Sequence, residues 1–123
     1  MKQSAYMLLV DDEEDLRSTL QETLEIENYH VTTAGNAMRA TDAVANGKFD
    51  IAVLDIRLPD GSGLDLLKSF KESDPDMGVI LITGYSEVDS AVQAIELGAD
   101  DFLKKPFEPN ELVIRVKELL KKR

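Results

Sequence analysis

The stretch that decides the fold is Ile51-Ala52-Val53-Leu54-Asp55, four apolar residues followed directly by an acid. The apolar run is too short for a helix, and we predict a buried strand over Ile51–Leu54. A carboxylate at the end of a buried strand is costly unless a cation or a hydrogen-bond donor meets it. Asp55 is therefore the first candidate for a functional residue.

Four further short runs alternate with amphipathic stretches along the chain. We predict strands over Tyr6–Val10, His30–Ala34, Val79–Ile82 and Phe102–Lys104. Apolar residues at helical spacing follow the five strands in turn: Leu16, Leu20 and Leu24; Ala37, Ala40 and Val44; Leu64, Leu67 and Phe70; Val88, Ala91, Val92 and Ile95; Leu112, Val113, Val116, Leu119 and Leu120. Five such units predict an α/β fold, a flavodoxin-like, doubly wound parallel sheet of five strands in the order 2-1-3-4-5 with five helices.

The composition narrows the class of protein. We expect one domain over residues 1–123, because 123 residues bury one compact core and hardly two. A net charge of −10 disfavours nucleic acid as a direct partner. The absence of cysteine excludes a disulfide framework and a thiolate metal site, and it fits a cytoplasmic location. No apolar run approaches the length of a membrane span.

Polar residues follow the predicted strands and are expected at one edge of the sheet, because parallel strands all end there. They are Asp11, Asp12 and Glu13 after the first strand, Asp55 after the third, Thr83 after the fourth, and Lys104 and Lys105 before Pro106. Clustered carboxylates repel one another, and hard oxygen ligands suit Mg²⁺. A carboxylate beside such a cation can attack phosphorus and form an aspartyl phosphate, with an ammonium and a hydroxyl stabilising the phosphoryl oxygens.

Taken singly, the same residues have plainer explanations. The acids at 11–13 could begin the first helix, where they interact favourably with its dipole. Thr83 could simply end a strand, and Lys105 could be a solvated lysine. It is the joint placement of these residues that favours a site.

Three other residues are given no role in the chemistry. His30 is interpreted as structural, because no acid or hydroxyl lies at a recognisable spacing from it. Gly61 and Gly63 are interpreted as turn glycines ahead of a helix. Neither a Walker motif nor G-x-G-x-x-G is present, so nucleotide binding is disfavoured.

Four motifs, in this order, resemble the response-regulator receiver domains of two-component systems: VDDE (10–13), VLDIRLPDGSGLDLL (53–67), LITGYSE (81–87) and GADDFLKKPF (98–107). The resemblance implies that Asp55 is the phosphoacceptor and that Mg²⁺ is the cofactor. It further implies that Asp12 is a direct metal ligand, that Asp11 binds the metal through water, and that the backbone carbonyl of Arg57 is the third protein ligand.

The same resemblance assigns the residues of a switch. Thr83 receives the switch hydrogen bond, and Phe102 occupies the place of the switch aromatic, where relatives often have tyrosine. Lys105 matches the family's lysine, the Lys105–Pro106 peptide is a candidate for the cis form, and Lys104 is expected to face elsewhere. Arg57 and Tyr85 are expected to shape the access of water to the phosphoryl group.

By this resemblance the partner is a sensor histidine kinase, whose phosphohistidine donates to Asp55. The protein is then a signalling switch, and not an enzyme beyond its own phosphorylation and dephosphorylation. The surface that changes is formed by the fourth helix, fifth strand and fifth helix, through which a homodimer is possible. The output is undetermined; the motifs are similar to receivers of transcriptional activators with an ATPase module, which implies transcription regulation if the chain belongs to a longer one.

Two other functions remain open at this point. A magnesium-dependent phosphatase of the haloacid-dehalogenase type would carry a second Asp two residues after the nucleophile, where this chain has Arg57. A degenerate receiver that serves only as a binding module would lack Asp12, Asp55 or Lys105, and all three are present.

Overall fold

The computed structural model describes residues 5–84 and 93–122. Five strands form the main sheet: β1 (Tyr6–Val10), β2 (His30–Ala34), β3 (Ile51–Asp55), β4 (Gly78–Thr83) and β5 (Asp101–Lys104). The helices are α1 (Glu14–Ile26), α2 (Ala37–Asn46), α3 (Gly63–Ser73), α4, of which residues 93–96 are described, and α5 (Pro109–Lys121). Within the described ranges, no helix is long and apolar enough to cross a membrane.

All neighbouring strands of the sheet run parallel, in the order β2-β1-β3-β4-β5. The predicted fold class is therefore confirmed. β1 and β2 have the predicted bounds, whereas β3, β4 and β5 each extend by one or two residues beyond the prediction. A two-residue antiparallel ladder, Arg57–Leu58 with Gly61–Ser62, was not predicted, because two residues are too few to show a period.

Four predicted residues lie outside the described ranges, and His30 lies apart from the carboxyl ends of the strands. Tyr85 and three residues of the fourth apolar stripe, Val88, Ala91 and Val92, lie outside the described residues. His30 is the first residue of β2 and therefore lies at the amino ends of the strands, away from their carboxyl ends. Its ring stacks on Tyr6 with the centroids 4.6 Å apart. It takes no part in the acidic cluster.

The core lies on both faces of the sheet, because successive side chains of a strand point to opposite sides. On one face Leu8, Val10, Ala52, Leu54, Val79 and Leu81 pack with buried residues of α2 and α3. On the other face Met7, Leu9, Ile51, Val53, Ile80 and Ile82 pack with α1 and α5. Every residue of β3 is buried, so this central strand delivers Asp55 to the edge of the sheet from inside the core.

Side-chain caps fix where two of the helices begin. Asn36 caps α2 by accepting the Arg39 N–H at 2.8 Å, and Ser62 caps α3 by accepting the Leu64 N–H at 3.0 Å. The Asp60 carboxylate also accepts the first two N–H groups of α2, at 2.7 and 3.0 Å. The loop that follows β3 is thereby tied to the start of α2.

Gly63 has a different role from the one predicted, because it is the first residue of α3 and rests on the end of β3. Its N–H donates to the Ile56 carbonyl at 2.8 Å. A Cβ at this position would lie 2.2 Å from the Asp55 carbonyl oxygen, which is far inside van der Waals contact. Only glycine allows α3 to approach the backbone of Asp55 this closely.

The close approach predicts that Gly63→Ala is destabilising. The added methyl group must push α3 away from the Asp55 backbone, and we expect a loss of about 1–3 kcal/mol in the free energy of unfolding, the usual range for overpacking. Chemical denaturation of the two proteins measures it. Gly61→Ala is the matched control, because a Cβ there would lie 3.4 Å from the nearest atom, the Ala37 Cβ. An equal loss of stability in the two variants would contradict a special requirement for glycine at position 63.

Candidate functional site

The acidic cluster is built around the end of β1. Asp11 directly follows this strand and is fully buried, whereas Asp12 is exposed. The Asp11 N–H donates to the Ala34 carbonyl at 3.1 Å, and Oδ1 of Asp11 accepts the Glu13 N–H at 2.9 Å. The turn into α1 therefore holds the Asp11 carboxylate in a single orientation.

Asp55 enters the same region from the neighbouring strand. It is 6% exposed, and its Oδ1 accepts the Arg57 N–H at 3.2 Å. β1 and β3 lie side by side at the point where the strand order reverses, which is where open α/β sheets bind ligands. The fold thus brings Asp11 and Asp55 together from positions 44 residues apart in the chain.

Three carboxylates converge at this point. Asp11, Asp12 and Asp55 each place one oxygen so that the three atoms lie within 4.8 Å of one another. Oδ2 of Asp11 is buried and has no hydrogen-bond partner. A buried carboxylate oxygen without a donor is costly, so this set of hard oxygen atoms fits a divalent cation such as Mg²⁺.

Lys105 supplies positive charge to the cluster from the end of β5. Its Nζ lies 3.0 Å from Oδ2 of Asp55 and 3.5 Å from Oδ2 of Asp11, and it also donates to Oε2 of Glu13. The Lys105–Pro106 peptide is cis, as predicted. Lys104 is exposed, which agrees with the prediction that it faces elsewhere.

The two predicted switch residues lie on the neighbouring strands β4 and β5. Thr83 ends β4, is 3% exposed, and accepts the Lys105 N–H with its backbone carbonyl at 2.7 Å. Phe102 lies on β5, opposite Leu81, and is 37% exposed. The structure therefore joins Thr83 directly to the backbone of Lys105, whereas Phe102 is only partly exposed to solvent.

Burial sets the protonation behaviour of the acids. It raises the pKa of the Asp11 carboxyl to about 6, against the opposing effects of the Glu13 N–H and the Lys105 charge. Burial also raises the pKa of Asp55, although the hydrogen bond from Lys105 opposes it. For Lys105, burial acts to lower the pKa, but the hydrogen bonds to Glu13 and Asp55 outweigh burial and raise it.

Three contacts of the site were not predicted. Arg17 Nη1 donates to the Asp11 carbonyl at 2.7 Å, and a Cβ on Gly35 would lie 2.9 Å from the same nitrogen, so Gly35 makes room for the guanidinium. Gly63 positions the backbone of Asp55. Glu13 lies within the VDDE motif, but its partner is 92 residues away, and no local pattern indicates such a contact.

The raised pKa predicts an unusual dependence of stability on pH for Asp11 in buffer without divalent cations. Between about pH 4 and pH 6 the folded state binds more protons than the unfolded state, so the free energy of unfolding falls as pH rises and stays lower above pH 6. Asp11→Asn should reduce this slope, of which the raised pKa of Asp55 supplies another part, and stabilise the protein at pH 7 by about 1–3 kcal/mol. Denaturant titrations across this pH range measure both effects.

Asp42→Asn is the matched control for this experiment, since Asp42 is exposed on α2. This control should leave the slope unchanged. If the Asp11→Asn protein kept the pH slope of the unmodified chain, burial of the Asp11 carboxylate would not be its source.

Comparison with known proteins agrees with the geometry. The family model of the response regulator receiver domain matches residues 7–117. The response regulator SaeR of Staphylococcus aureus is 40% identical over 115 residues, which is 94% of this chain and 50% of SaeR. The chain thus spans about half the length of the curated relatives it matches.

Solved structures show the same relationship. A CheY-like response regulator receiver domain protein from Methanospirillum hungatei JF-1 superposes with a TM-score of 0.93 at 32% identity, covering 98% of this chain and 96% of the other. The BeF3-activated DrrB receiver domain gives a TM-score of 0.89 at 33% identity, with coverages of 97% and 99%. The chain belongs to the response-regulator receiver domains of two-component signalling systems.

Proposed function

We propose that this receiver domain accepts a phosphoryl group on Asp55 in a magnesium-dependent reaction. The observation that carries the proposal is the position of the Asp55 carboxylate. It is nearly buried, it lies within 4.8 Å of two further carboxylates, and its Oδ2 lies 3.0 Å from an ammonium group. Asp11, Asp12 and Asp55 would hold a metal ion here, and that ion and the Lys105 ammonium would both supply positive charge near the reacting carboxylate.

The proposed metal ligands are Asp12 and Asp55 directly, Asp11 through water, and the backbone carbonyl of Arg57. Oδ2 of Asp11 supports this set. It lies 3.5 Å from Nζ of Lys105 but accepts no hydrogen bond, and a water molecule held by a cation would donate one. A bound Mg²⁺ ion would supply positive charge to the phosphoryl oxygens and would offset the repulsion among the acids.

The transfer needs few groups from the protein. A carboxylate oxygen of Asp55 forms a bond to phosphorus while the bond from phosphorus to the imidazole nitrogen of a phosphohistidine breaks. The imidazole leaves with the electron pair and then takes a proton. Lys105 stabilises the charge on the phosphoryl oxygens through its ammonium, and Thr83 does so through its hydroxyl.

Phosphorylation would be read out through Thr83 and Phe102. Thr83 moves toward the phosphoryl group, and the exposed Phe102 ring turns inward into the space that Thr83 leaves. The surface formed by α4, β5 and α5 changes with them and can carry a homodimer. A shift of populations from 1:99 to 99:1 requires the phosphoryl group to favour the active state by about 5.5 kcal/mol.

A sensor histidine kinase is the proposed donor, since the family is partnered with such kinases. The proposed output is transcription regulation in a longer chain, because the motifs are similar to receivers of transcriptional activators with an ATPase module. SaeR, which is about twice as long as the matched region, is an example of a receiver in a longer chain. A phosphatase function is disfavoured because Arg57, two residues after Asp55, has no carboxyl group to protonate a leaving group.

The first test is phosphorylation by acetyl phosphate, followed by intact mass. We expect one added phosphoryl group that requires both Mg²⁺ and Asp55, because the acids repel an anionic donor when no cation is present. Asp55→Asn should abolish the adduct, and Asp42→Asn, an equal change on the exposed face of α2, should leave it intact.

Beryllofluoride, present in the related DrrB structure, serves as a second probe because it mimics a phosphoryl group without a covalent step. A folded protein that neither forms the phosphoryl adduct nor binds beryllofluoride would contradict the proposal. It would favour a receiver that acts only as a binding module.

A further inference from the structure

Glu13 occupies a position where a side chain normally caps a helix. It is the N-cap residue of α1, with extended backbone angles, yet its side chain makes no cap hydrogen bond. The carboxylate instead reaches across the site and accepts a hydrogen bond from Nζ of Lys105. The Glu13 side chain is 59% exposed, so its partner is not imposed by burial.

Lys105 is thereby shared between two acids that face it from different elements. Its Nζ donates to Oδ2 of Asp55 at the end of β3 and to Oε2 of Glu13 at the start of α1. The ammonium has three protons to donate. Asp11 also lies 3.5 Å away, so carboxylates surround the ammonium before any phosphoryl group arrives.

A phosphoryl group on Asp55 would change this balance. It carries up to two negative charges and three strong acceptor oxygens, which compete with carboxylates for the same ammonium. With one proton donated to Glu13, the Lys105 ammonium has two left for the phosphoryl oxygens, and releasing Glu13 frees the third. The Glu13 carboxylate also repels the incoming anion, because it lies at the mouth of the same cluster.

We propose that Glu13 holds Lys105 as a built-in competitor of the phosphoryl group, so that it weakens phosphoryl binding and slows phosphorylation by small anionic donors. The proposal rests on the proposed function of Asp55 and Lys105. Glu13 is here a positioning residue, since it acts through Lys105 and does not touch the reacting atoms. An exposed ion pair of this kind corresponds to about a twofold to fivefold effect.

The test is the affinity for beryllofluoride at saturating Mg²⁺, measured by ¹⁹F NMR or calorimetry for the unmodified chain, Glu13→Gln and Glu13→Ala. Both variants should bind about twofold to fivefold more tightly, and the gain should shrink in high salt as the ion pair is screened. Both should also be phosphorylated faster by acetyl phosphate. In that reaction the Asp55–phosphorus bond forms, the phosphorus–oxygen bond to acetate breaks, and acetate leaves with the electron pair.

Glu14→Gln is the matched control, because Glu14 is exposed and stands one residue further along as the first residue of α1. It removes the same charge, and it should leave the affinity nearly unchanged. Thermal unfolding separates a structural role from the proposed one: loss of the Glu13–Lys105 ion pair should leave the stability equal or slightly lower while the affinity rises.

Tighter binding in the two Glu13 variants but not in Glu14→Gln supports the competition. Equal gains in affinity in all three variants would mean that net charge alone acts. Unchanged or weaker binding after Glu13 substitution would mean that Glu13 does not compete for Lys105. Either result would overturn the role of Glu13 and leave the proposed function of Asp55 intact. An unmodified chain that binds no beryllofluoride would overturn the proposed function as well.

Discussion

The ion pair between Lys105 and Asp55 joins the last strand of the sheet to its central strand, with Nζ and Oδ2 3.0 Å apart. Asp55 ends a strand whose residues are all buried, so its carboxylate has lost most of its contact with water. The ammonium offsets part of this loss, together with the Arg57 N–H, and it also lies 3.5 Å from Asp11. The rest of the site is arranged around these charges, because buried acids tolerate close approach only when cations are near.

Backbone contacts hold the acids in this arrangement. Arg17 donates to the Asp11 carbonyl from the first helix, and Gly35 leaves room for its guanidinium. On the other side, Gly63 allows α3 to rest on the Asp55 carbonyl. These contacts are made to the backbones of Asp11 and Asp55, and they determine where the carboxylates can lie. Precise placement of charged groups by rigid elements is what electrostatic stabilisation of a transferred group requires.

The electrostatic balance of the site also bears on signalling. If Asp55 is phosphorylated as proposed, the chain must bind the phosphoryl group yet stay in the inactive state without one, so excessive stabilisation of the anion would be a disadvantage. The proposed competition of Glu13 for Lys105 would limit that stabilisation. SaeR extends well beyond the matched region, which is 50% of its length.

The sequence by itself determined the strands, the strand order and the identity of the family. Short apolar runs and helical spacing depend on local periodicity, and the rule that parallel strands end at one edge gathers Asp11, Asp55, Thr83 and Lys105 without coordinates. The cis Lys105–Pro106 peptide was likewise predicted from the motif and is present. Only the tertiary structure decided that Asp11 is buried with an oxygen that accepts no hydrogen bond, while Asp12 is exposed. It also decided that Gly63 lies against the Asp55 backbone and that Glu13 turns away from its helix toward Lys105. These features depend on side-chain direction and on packing between elements far apart in the chain, and local sequence patterns encode neither.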